Sequence, residues 1–74
     1  MFFIRGQVAH PGLYILRSDL TISQAIAMAG GRTERASDQV DIMRTIDGQS
    51  ATLSVDWTAS VEPDDTLVAR RRLF

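Results

Sequence analysis

The stretch from Gly6 to Gly31 constrains the fold more than any other part of this chain. Ahead of it and into it, Phe2 to Val8 alternates. Ile4, Gly6 and Val8 fall on one side and Phe3, Arg5 and Gln7 on the other, the period of a half-buried strand. Gly6 inside that strand predicts a bulge or a close backbone approach. His10-Pro11-Gly12 reads as a type II turn, with proline presetting its φ and Gly12 supplying a positive φ. Leu13 to Leu16 returns as a second strand, with Tyr14 and Leu16 on one face. After the polar link Arg17-Ser18-Asp19, Thr21 and Gln24 have the spacing of a capping box. Ile22, Ala25, Ile26 and Ala29 then form one apolar stripe at helical spacing. Gly30-Gly31 closes the helix, since one of the two can take the left-handed position without cost.

The rest of the chain has strand periodicity. Arg32 to Gln39 is polar and predicts a loop. Val40, Ile42 and Arg44 alternate against Asp41, Met43 and Thr45. Asp47-Gly48 is a two-residue hairpin signal. Leu53, Val55 and Trp57 alternate against Thr52, Ser54 and Asp56. Glu62-Pro63-Asp64-Asp65 is a turn, and Thr66 to Arg70 is a last strand, followed by a terminal tail. The order is β-β-α-β-β-β with a single short helix. Residues 1–74 therefore predict one α+β domain, a β-grasp-like mixed sheet with the helix on one face. The expected core is Ile4, Val8, Tyr14, Leu16, Ile22, Ala25, Ile26, Ala29, Val40, Ile42, Leu53, Val55, Leu67 and Ala69.

Composition narrows the function. Seventy-four residues with no cysteine exclude disulfides, thiol catalysis and cysteine-based metal sites. A net charge of -1 gives no attraction to nucleic acid or an acidic membrane. All the cations are arginine, which reflects genome composition first and a binding preference second. Met1-Phe2-Phe3-Ile4 is apolar, but Arg5 interrupts it short of a signal-peptide core or a spanning helix. The chain is expected to be either cytoplasmic or a piece of a larger secreted protein.

No set of residues has catalytic spacing, and none predicts a metal or a cofactor. His10 is the one histidine, without ligand-spaced neighbours, and a structural or solvated role is expected. Adjacent carboxylates such as Asp64 and Asp65 diverge on an extended chain, so a turn role is expected. Gly30-Gly31-Arg32-Thr33 follows a helix instead of preceding one, where the dipole repels anions. Arg70-Arg71-Arg72 is expected to be a solvated, edge-guarding end. Trp57 and Tyr14 could stack on a sugar, but Trp57 is in phase with Leu53 and Val55, which favours core packing.

The ordered set Gly6-x-x-x-His10-Pro11-Gly12-x-Tyr14-x-Leu16, Thr21-Ile22-x-x-Ala25-Ile26-x-x-Ala29-Gly30-Gly31, Ala36, Val40-x-Ile42-x-Arg44 and Pro63-x-Asp65-x-Leu67-x-Ala69 resembles the SLBB domain, the soluble ligand-binding β-grasp family. The likeness extends over nearly the whole chain. One departure is Pro63-Asp64-Asp65 where the family has Pro-Gly-Asp; aspartate tolerates the left-handed region, so the turn is expected to survive. Within the family, Val40-x-Ile42-x-Arg44 and the ending Leu73-Phe74 are most similar to Wza-type outer-membrane polysaccharide export proteins.

That resemblance implies a non-catalytic, periplasmic assembly module in a larger capsule or exopolysaccharide exporter, part of an outer-membrane-associated parent. Its partners would be copies of itself in an oligomeric conduit, polysaccharide as cargo and inner-membrane export machinery, with no nucleic acid. Arg5, Arg17, Arg32 and Arg35 are candidates for the lateral surface, and Trp57 and Arg70 for interface or ligand contacts. Two alternatives follow from the same family. One is the SLBB segment of a competence-type DNA receptor, in which another domain supplies the DNA contacts. The other is a small-ligand module for a sugar.

Overall fold

A computed structural model describes residues 1–72. Leu73 and Phe74, which carry part of the Wza-type likeness, lie outside the described residues. The elements are β1 (Phe2–Gly6), β2 (Gly12–Tyr14), α1 (Ile22–Met28), β3 (Ala36–Ile46), β4 (Gln49–Val55) and β5 (Thr66–Arg71). They form one mixed sheet in the order β2-β1-β5-β3-β4. β1 and β5 run parallel at its centre, and the other neighbours are antiparallel. The expected α+β, β-grasp-like order is the one observed.

The helix is held at both ends by backbone accounting. Thr21 is the N-cap; its hydroxyl accepts from Gln24 N, and the Gln24 side chain accepts from Thr21 N. The first two helical amides, of Ile22 and Ser23, donate to the carbonyls of Ala59 and Trp57. The orphan donors of the first turn are thus satisfied, half of them by a distant loop. At the other end Gly30 N donates to Ala27 O and Gly31 N to Ile26 O, a Schellman closure with Gly30 at φ 88°.

The core lies between this helix and the middle of the sheet. Ile4, Val8, Ile22, Ala25, Ile26, Ala29, Val40, Ile42, Leu67 and Ala69 are buried, as expected. Tyr14, Leu16 and Val55 only pack against its rim, and Leu53 is half-buried. Size explains this correction. Seven helical residues span about 10 Å, whereas five strands span about 19 Å, so the helix covers the central strands and leaves the flanks partly wet. Phe2, Leu20 and Val61 complete the core instead. Phe2 shares the face of Ile4. Leu20 precedes the N-cap, the staple position relative to Ala25, and is buried in the same cluster. Val61 is carried in by the loop that caps the helix, through Val61 N to Leu20 O.

Three local expectations are corrected. β3 begins at Ala36, inside the predicted loop, because Ala36 pairs with Arg71 before the register shifts to Val40 opposite Ala69. Ser37, Asp38 and Gln39 therefore bulge out opposite Arg70. β4 ends at Val55, so Trp57 lies in the following turn. Gly12 opens β2 at φ 159°, far from the roughly +80° of a type II turn. The connection is a wider loop, tied instead by Ala9 N to Gly31 O and His10 N to Ala29 O. Gly6 shows the predicted close approach: at φ 92°, a Cβ there would lie 2.3 Å from Ala69 O. Asp47 and Gly48 both have positive φ, as a type I′ hairpin requires.

Candidate functional site

The most buried charge belongs to Asp65, 1% exposed. It accepts from Arg44 Nε at 2.9 Å, Arg44 Nη2 at 2.7 Å and Glu62 N at 2.8 Å. Arg44 Nη1 reaches Glu62 Oε2 at 2.9 Å. The hydrogen bond to Asp65, and then the charges of Asp65 and Glu62, raise the Arg44 pKa against the opposing effect of burial. This group joins the C-terminal half of β3 to the turn that launches β5. In that turn Asp64 sits at φ 67° and Asp65 N donates to Glu62 O, so the Pro63-Asp64-Asp65 turn survives as expected. Sequence reasoning named Arg44 and Asp65 separately and missed their pairing. The available signal was an arginine in phase with Val40 and Ile42, which obliges a buried cation to find a carboxylate.

Arg32 and Trp57 are brought together. The guanidinium lies 4.8 Å over the indole ring, and Arg32 Nη1 donates to Ser37 O at 3.0 Å and Asp38 Oδ1 at 3.2 Å. Trp57 Nε1 donates to Asp38 O at 3.1 Å. Trp57 packs on the rim of the core while Arg32 covers its outer side. Tyr14 packs against Phe2, and its hydroxyl donates to His10 O. Tyr14 belongs to β2, at one flank of the sheet, whereas Trp57 lies in the turn after β4, with its carbonyl accepting from Ser23 N of the helix. The His10 side chain leans over Gly30, where an added Cβ would meet its Cδ2 at 2.9 Å. The residue itself is exposed.

Arg70, Arg71 and Arg72 line an open groove of about 530 Å³ with the Ala36–Gln39 bulge. Arg70 donates to Gln39 Oε1 at 3.0 Å and approaches Asp41 at 3.7 Å. Arg72 N donates to Arg35 O. The edge-guarding reading of this run is corrected: β5 is the central strand, so its arginines guard no edge. The four lateral candidates do not form one patch. Arg5 stands on the helix-free face, in register with Val68, and donates to Met43 Sδ. Arg17 borders a shallow depression with Gln24 and Met28. Arg32 is occupied by Trp57, and Arg35 lies before the bulge.

The helix-free face carries what the candidate list omitted. Phe3 and Leu13 are cross-strand partners there, 52% and 50% exposed, with Ile15 beyond them at 67%. Strand alternation places Phe3 on the side away from Ile4, and a local period alone does not mark it as a contact residue. Among the described residues no group of three or more metal-ligating side chains converges, and no helix is long and apolar enough to cross a membrane.

Fold and surfaces together define a small β-grasp domain with one covered and one open sheet face. The chain belongs to the SLBB domain family, whose model matches residues 1–53. The matched span is shorter than the motif likeness: it stops before the Pro63-Asp64-Asp65 turn and β5. A segment of 35 residues, 47% of this chain, is 49% identical to ComE operon protein 1 of Bacillus subtilis (strain 168) and spans 17% of that protein's length. No solved structure matches the chain significantly.

Proposed function

We propose that this domain is a non-catalytic docking module of a larger exported protein, working by surface contact. The carrying observation is the open sheet face, where Phe3, Leu13 and Ile15 stand exposed beside Arg5. Contiguous exposed apolar side chains rimmed by charge mark a contact surface. The reading favoured by the motif likeness is an assembly module of a capsule or exopolysaccharide exporter in the periplasm. There it packs against copies of itself, with polysaccharide as cargo and inner-membrane export machinery as a further partner.

The segment shared with ComE operon protein 1 favours a second reading, the SLBB segment of a competence-type DNA receptor. In that case the DNA contacts come from elsewhere in the parent, in keeping with the net charge of -1. An in-frame deletion of these residues from the parent gene separates the two. Loss of surface polysaccharide with unchanged DNA uptake supports the exporter. Loss of DNA uptake with unchanged polysaccharide supports the receptor.

A further inference from the structure

The two flanks of the sheet are treated differently. β2 has three residues and follows Pro11, so little of that flank can accept another strand. β4 has seven residues, Gln49–Val55, and pairs with β3 along its whole length without a bulge. It contains no charge and no proline. None of the usual guards against strand addition is present on it.

We propose that β4 pairs with β4 of a second copy of this chain, antiparallel about a two-fold axis through Thr52, and extends the sheet across both copies. Opposed residues in an antiparallel pair must both turn their backbone groups inward or both outward. A strand pairing with itself therefore has its axis at a residue, and Thr52 is the middle of Gln49–Val55. That register sets Thr52 against Thr52, Ser50 against Ser54, Ala51 against Leu53 and Gln49 against Val55. Ser50, Thr52 and Ser54 are exposed, and hydroxyl pairs across strands are favourable. On the helix side the partner covers Leu53 and Val55, the two residues the short helix leaves half-wet. Asp47 and Asp56 bracket the strand. They fall opposite Trp57 and Gly48, so no like charges meet. The strand thus meets itself with hydroxyl opposite hydroxyl, Ala51 opposite Leu53 and no like charges opposed. The contact is isologous and closes at two copies, so it is separate from any head-to-tail contact a ring would use.

The chain has no cysteine, so single cysteines report the register. Opposed Cα atoms are about 4.5–5.5 Å apart, within disulfide reach. Residue 50 of one copy is four residues, about 13 Å, from residue 50 of the other. Oxidation at about 100 μM, where micromolar contacts are populated, is expected to cross-link Thr52→Cys into a dimer. Ser50→Cys and Ser54→Cys are each expected to stay monomeric, but to cross-link when mixed. Far-UV circular dichroism of each variant checks the fold, which these exposed sites do not perturb. Equal cross-linking at all sites, or none at Thr52→Cys in a folded chain, overturns the proposal and leaves the strand to another polypeptide. This test reads pairing alone, whichever cargo the deletion experiment assigns to the parent.

Discussion

Replacing Asp65 with alanine tests the most specific energetic feature of the fold. The change removes three hydrogen bonds and strands the Glu62 amide and the Arg44 guanidinium. Breaking a buried ion pair from one side costs about 3–5 kcal/mol. Arg44 retains 22% side-chain exposure and its contact with Glu62, which is itself 60% exposed. Water and Glu62 therefore recover part of the loss, and the cost belongs at the lower end, about 3 kcal/mol. A domain of this size has a total stability of roughly 4–11 kcal/mol, so the variant is marginal, with a Tm lower by about 12–24 °C. Urea melts of wild type, Asp65→Ala, Arg44→Met and the double variant read this directly. The double variant should lose less than the two singles together, by about 1–3 kcal/mol, since each single leaves an unpaired partner. A loss below about 1 kcal/mol for Asp65→Ala, or singles that add to the double within about 0.5 kcal/mol, would show that the triad is not coupled. The raised Arg44 pKa places its contribution below an arginine's ordinary value, to fade only as pH rises through the raised one, so the cycle should not vary across neutral pH.

Ile26→Ala, at a site 3% exposed, should destabilise by about 2–5 kcal/mol in the same melts, and a smaller loss would mean the helix does not close the core. Gly6→Ala should cost about 1–3 kcal/mol from its positive φ, and more because the new Cβ meets Ala69 O in the adjacent central strand; a wild-type melt would disprove that approach. Asp56 accepts from the Thr58 hydroxyl at 2.7 Å and the Thr58 amide at 2.8 Å, which lowers its pKa from the ordinary 3.8. Its stabilising contribution is present above 3.8 and lost as pH falls through the lowered value. Carboxyl NMR titration should show the Asp56 pKa moving back up in Thr58→Ala, and an unchanged value would assign the shift to the backbone.

The sequence by itself determined the elements and their order. Local signals did this: the Thr21/Gln24 box, the Gly30-Gly31 close, Asp47-Gly48 and the period-2 runs each depend on neighbours a few residues apart. It also determined the family, through the part of the motif set from Gly6 to Arg44, which falls inside the matched residues 1–53. The tertiary structure decided what depends on distance in space. It put β5 at the centre, which turned Arg70 to Arg72 from an edge guard into the lining of a groove. It paired Arg44 with Asp65, 21 residues apart. It brought Val61 into the core, because a loop far along the chain supplies the carbonyls that the first helical amides lack. It limited burial of Leu53, because a seven-residue helix is shorter than the sheet is wide. And it set the two flanks apart, one cut short beside Pro11 and one left long and uncharged. Which strand ends at an edge is a property of the assembled sheet, and no local period encodes it.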